Sequence, residues 1–190
     1  MVNNLIEKSN VSLFTDSINY QLIQKTGIVY GMEIRIGIYE RFSIHTGINQ
    51  IRRNFKVKIS EQDSVYSDSV LKFSSYEIPV FVSGYVKLTK NLYLNGNLGL
   101  YTEFYPTNIS IPHIYGKRYH WAQFSLAGGP GLELRTRNSG YFYLGASFKT
   151  HFHDMLYVLF YKDLKMIGES DENIPLSGNY FAIHFKYYFN

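Results

Sequence analysis

Apolar and polar residues alternate with a period of two along most of the chain, which is the signature of strands with two different faces. In 28–39 the even positions Ile28, Tyr30, Met32, Ile34, Ile36 and Ile38 are apolar, with Gly31, Glu33, Arg35 and Gly37 between them. The pattern repeats in Phe42, Ile44, Thr46 and Ile48, in Tyr76, Ile78, Val80, Val82, Val86 and Leu88, and in Leu92, Leu94, Leu98 and Leu100. It returns in Phe124, Leu126, Leu132 and Leu134, then in Phe142, Leu144, Ala146, Phe148 and Phe152. The closing segment places Phe181, Ile183, Phe185, Tyr187 and Phe189 on one face, against Ala182, His184 and Lys186.

Seven segments are clear, and a weaker eighth is expected in about 11–23. Tight turns are predicted at 40–41, 89–91 and 137–140, a short loop at Gln24-Lys25-Thr26, and long loops at about 56–72, 106–119 and 156–176. This short–long rhythm and an even strand count are features of outer-membrane barrels. The fold expected is therefore all-β: an eight-stranded antiparallel up-and-down transmembrane β-barrel with short periplasmic turns and longer extracellular loops. The Gly128-Gly129-Pro130-Gly131 run sits inside a strand with no helix after it, so it predicts a bend or bulge and not a phosphate loop.

A soluble barrel also alternates, so the direction of the faces has to be argued. The polar set is rich in Gly and Ser and contains charges of both signs, as the narrow interior of an eight-stranded barrel requires. The apolar set is bulky and almost free of charge, which suits hydrocarbon, where a charge near the midplane costs about 2–4 kcal/mol. The charged set, Glu33, Arg35, Glu77, Glu103, Glu133, Arg135 and Lys149, is predicted to form a lumen ion network.

At 190 residues one domain is expected, with 1–10 as a short N-terminal extension. Met1–Asn10 lacks the apolar core of a secretory signal, so an exported protein is expected in mature or trimmed form. No stretch approaches the roughly 18 apolar residues of a spanning helix. The 18 Tyr and 14 Phe favour strands and membrane interfaces. The net charge of +4 is spread out, so nucleic acid is not an expected partner. Cysteine is absent, which excludes disulfides and Cys-ligated metals.

Three features are candidates for chemistry or binding. His151 and His153 share a strand face with Asp154 at its end, a pattern that can hold a metal. The alternative is a pair of hydrogen-bonded imidazoles, and the lack of a third ligand at diagnostic spacing favours it; no cofactor is expected. Ser147 lies on the same face as the two histidines, the minimum a lipid A deacylase-like enzyme would need, but serine is too common to specify catalysis. The apolar run Leu156, Tyr157, Val158, Leu159 and Phe160 is either part of an aromatic girdle or a partner-docking stretch.

The chain resembles the PorT-like outer-membrane β-barrel family of Bacteroidetes. The resemblance rests on Gly27–Tyr39 with Phe42–Gly47, on Ser75-Tyr76-Glu77-Ile78-Pro79-Val80, on Leu92–Tyr101, and on the aromatic close Phe185–Phe189. It implies an eight-stranded barrel in the bacterial outer membrane. Phe185, Tyr187 and Phe189 resemble the signal that marks a barrel-closing strand, although Asn190 follows them. Some members are linked to type IX secretion, so the resemblance implies a non-enzymatic structural or accessory subunit whose partners are outer-membrane lipids and other envelope proteins. A lipid-modifying enzyme and a small channel are the alternatives.

Overall fold

The computed structural model describes residues 11–15, 18–61, 64–111, 114–137, 139–162, 165–166 and 174–189. Its strands, in chain order, are β1 (Val11–Thr15), β2 (Ile18–Tyr39), β3 (Phe42–Glu61), β4 (Ser64–Lys87), β5 (Leu92–Phe104), β6 (Ile109–Ile111) and β7 (Ile114–Arg118). They continue with β8 (Ala122–Arg135), β9 (Tyr141–His151), β10 (Leu156–Lys162), β11 (Lys165–Met166), β12 (Ile174–Leu176) and β13 (Tyr180–Tyr188). Eight of them form one antiparallel sheet in the order β1-β2-β3-β4-β5-β8-β9-β13, which curls into a half-barrel. The other strands form a smaller sheet, β11-β10-β7-β6 with β12 on β10.

All seven clear sequence segments are strands of the large sheet. The expected loop at 24–26 is absent: β2 runs through it, and only a register shift between Lys25 and Ile28 marks the place. The weak eighth segment is divided, Val11–Thr15 forming β1 and Ile18–Ile23 opening β2. At Gly128–Gly131 the register against β9 is the same on both sides, so no bulge forms there. The glycines serve close packing instead. A Cβ on Gly131 or Gly145 would lie 2.3 Å or 2.1 Å from the Tyr143 side chain, which occupies the space they leave.

The long strands carry two storeys of opposite polarity. In the lower storey, next to the tight turns, the convex face carries the apolar rows and leaves them bare: Ile34 is 64% exposed. The concave face buries Glu77, Glu103, Glu133, Lys149, Ser43 and His45 and leaves Glu33 half-buried. Higher up the pattern inverts without a break in the strand. In β3, Ile51, Phe55, Val57 and Ile59 face inward, while Arg52, Asn54, Lys56 and Lys58 face outward. In β4, Leu71 and Phe73 are buried and Lys72 is exposed.

The upper storey is therefore a conventional apolar core, which adds Tyr105, Ile109, Ile114, Met155, Leu156, Val158 and Leu176 to those side chains. Most of the regions expected as long loops are its walls. Residues 56–61 and 64–70 pair as the upper part of β3 and β4, and β6, β7, β10 and β12 add their apolar side chains to the same core. Burial in this dry core, reinforced by the Glu103 charge, pushes the Tyr105 phenol well above its ordinary value.

Strands β2 and β13 are not paired with each other in the lower storey. Counting antiparallel steps across the sheet, they run in the same direction. A cleft of about 910 Å³ lies between them, lined on one side by Gly31–Arg35 and on the other by Phe185–Phe189. Glu33 and Lys186 join across it.

Candidate functional site

The concave face of the lower storey holds four carboxylates, Glu33, Glu77, Glu103 and Glu133, each with a cation. Alternation brings them together, because each stands at an inward position of its strand. Buried charges persist only where such partners exist, since an unpaired ion would lose its hydration without compensation.

Nearest the tight turns, Glu133 accepts from Arg35 Nη1 at 2.9 Å and from Arg135 Nε at 2.6 Å. Both guanidinium groups lie on aromatic faces, Arg35 at 4.5 Å from Tyr85 and Arg135 at 3.9 Å from Tyr93. Such stacking keeps the cations partly desolvated yet stabilised. Glu33 accepts from Lys186 Nζ at 2.6 and 2.9 Å and from the Tyr188 hydroxyl at 2.9 Å.

Glu77 accepts from Lys149 Nζ, and from Asn49 Nδ2 at 2.9 Å. Lys149 sits 4.2 Å from the Tyr101 ring. Glu103 stands directly across from Glu77 in the β4–β5 ladder. Two carboxylates so placed repel, and separate cations relieve it. Arg53 clamps Glu103 bidentately at 2.5 and 3.1 Å and donates to Ser75 Oγ at 2.8 Å, while Ser75 also donates to Glu103. His151 Nε2 completes the set at 2.9 Å. The Arg53 and Glu103 side chains are 1% and 0% exposed.

The seven charged residues of the expected set all take part in ion pairs on this concave face. Lys186, on the polar parity of the closing strand, pairs with Glu33, and Arg53, absent from the expected set, pairs with Glu103. Arg53 follows Arg52 in sequence and reads as half of a surface pair. The strand parity separates them, sending Arg52 outward and Arg53 inward.

The candidate metal ligands do not converge. His151 is held on the concave face by Glu103, whereas His153 is exposed and stacks on Tyr119 at 5.6 Å. Asp154 is half-buried beyond the strand end. Among the described residues no three His, Asp or Glu side chains converge on a metal-sized site. The Leu156–Phe160 run is not an exposed patch. It is strand β10, paired to β7 and β12, with Leu156 and Val158 in the upper core and Tyr157 and Leu159 half-buried; the Phe160 side chain lies outside the described set. Phe185, Tyr187 and Phe189 lie on the exposed face of β13 and its end, as the alternation requires.

Ser147 does find a histidine, although not an expected one: its Oγ lies 2.6 Å from His184 Nε2 on the paired strand β13. The enclosed space beside this pair is about 20 Å³, room for about one water. The contact gives each of these polar side chains a hydrogen-bond partner. No protein-family model, no curated protein and no solved structure matches the chain.

Proposed function

We propose that this chain is a non-enzymatic, eight-stranded β-barrel of the bacterial outer membrane, an accessory subunit of an envelope or type IX-like secretion assembly, as in the PorT-like proteins it resembles. One observation carries the reading: large apolar side chains cover the convex face while ion pairs fill the concave one. In water such a surface would be far larger than the apolar patch a monomer tolerates. In lipid it is what is needed.

The dimensions agree. Ile28 to Ile38 is ten steps, roughly 33 Å along the strand at about 3.3 Å per residue. At a tilt of about 40° this spans roughly 25 Å, the height of an outer-membrane apolar band. Aromatics line both ends of the band, with Tyr30, Tyr76, Trp121 and Phe152 at the upper end and Tyr39, Phe42, Tyr187 and Phe189 at the lower, all exposed.

An open sheet edge is costly in hydrocarbon. Because β2 and β13 run in the same direction, antiparallel closure needs one strand running the other way between them. Strand β1 runs that way and pairs with the upper end of β2, at Ile18–Leu22, on the edge that faces β13, which is in keeping with a count of eight.

The ion pairs packed on the concave face and the apolar core above them disfavour the channel alternative. Three results follow. In a planar bilayer the purified protein gives no conductance steps. Ser147→Ala leaves the lipid A of the host unchanged. Extraction in mild detergent recovers the chain with other envelope proteins in fixed ratio. Steady conductance or altered lipid A would replace the proposal with the corresponding alternative, and a chain that is recovered alone would remove the subunit role.

A further inference from the structure

At the upper border of the apolar band, the outward face of β2, β3 and β4 carries a cluster of positive charge. Cross-strand pairing aligns Lys25, Asn54 and Lys72 in one row. The row below is Ile28, Arg52 and Ser74, and the row above is Ile23, Lys56 and Val70. Lys25, Arg52 and Lys72 are all exposed, and no Asp or Glu stands in these three rows. Lys25 and Lys72 are two strands apart, roughly 10 Å, and Arg52 is one pleat repeat below, about 7 Å along the strand.

The cluster has a fixed lower edge. Arg52 lies 5.2 Å over the Tyr30 ring, and the Tyr30 hydroxyl donates to Gln50, so the guanidinium is held at the rim of the aromatic girdle. The Asn54 amide in the centre donates to the Thr26 carbonyl at 2.9 Å. A solvated face of an ordinary soluble domain mixes both signs. Here Lys25, Lys72 and Arg52 put one sign on two successive rows, and the rows touch the apolar band. That boundary is where lipid headgroups lie.

We propose that Lys25, Arg52 and Lys72 form a binding surface for the phosphate of anionic lipid headgroups. This inference rests on the membrane reading above. A cation near an anionic membrane surface shifts affinity about fivefold, so three together give a preference well above tenfold. The guanidinium takes phosphate oxygens bidentately, the ammonium groups act as point charges, and the hydrocarbon tails lie down along Ile28, Ile48 and Ile78.

The test uses the full chain in phosphatidylcholine vesicles with spin-labelled phosphatidylglycerol or spin-labelled phosphatidylcholine, comparing the motionally restricted fraction of each. The expected result is a preference for phosphatidylglycerol above tenfold, lost in a Lys25→Gln, Arg52→Gln, Lys72→Gln variant and weakened by salt. A Lys90→Gln, Arg137→Gln variant, changed at the opposite end of the strands, should keep it. Equal restriction of both lipids, or equal loss in both variants, overturns the headgroup site while leaving the membrane reading intact. Absence of a restricted fraction for either lipid overturns the membrane reading itself. A cluster that serves an acidic protein segment would give the equal-restriction result.

Discussion

Arg53→Leu is expected to destabilise the protein by about 3–5 kcal/mol, one of the two largest effects of any single substitution considered. Glu103 is fully buried, and Arg53 supplies two of the hydrogen bonds to its carboxylate. Removing the cation leaves an ion with no compensating charge beside Glu77, which stands opposite it in the ladder. His151 and Ser75 remain but cannot replace a bidentate guanidinium. The double variant Arg53→Leu, Glu103→Leu should recover most of the loss, since a dry pair in place of a buried ion pair is often close to neutral. Urea titration of protein folded into vesicles measures both. A double variant as unstable as the single one would mean that packing around Arg53, and not its charge, is what matters.

The second large effect distinguishes the storeys. Leu98 and Val70 are each 61% exposed on the outward face, Leu98 in the lower storey and Val70 in the upper. By exposure alone Leu98→Arg and Val70→Arg should be equally harmless. If the lower storey is immersed in hydrocarbon, Leu98→Arg costs about 2–4 kcal/mol. Val70→Arg, in water, should stay within about 0.5 kcal/mol. The same titration compares them, and equal small effects would remove the lipid-facing assignment.

How far the sequence foretold this molecule depends on where polarity keeps its side. In the lower storey one parity stays apolar and the other polar, so strands, faces and the charged inward set could be read directly from Ile28–Ile38, Tyr76–Val86 and their counterparts. In β3 the apolar parity changes sides near Ile51 while the backbone continues. A reading that follows one apolar face ends there, and Phe55, Val57 and Ile59 then look like a loop. The same inversion concealed Arg53, whose inward position follows only once β3 is known to extend past Asn49. The register shift at Lys25–Ile28 resembled a turn because Gln24, Lys25 and Thr26 are polar, and no local signal indicates that the strand resumes. The apolar run at Leu156 was visible, but its cover comes from β7 and β12, which are distant in sequence.

The orientation of the outer rows can be measured directly, because the chain has no cysteine and a single introduced one carries a label at one place. Nitroxides at Ile34→Cys, Leu98→Cys and Leu144→Cys, in protein reconstituted into vesicles, report collisions with oxygen, which concentrates in hydrocarbon, and with a nickel chelate confined to water. The account predicts strong relaxation by oxygen and almost none by nickel at all three. Relaxation by nickel at the level of a label free in buffer would contradict it.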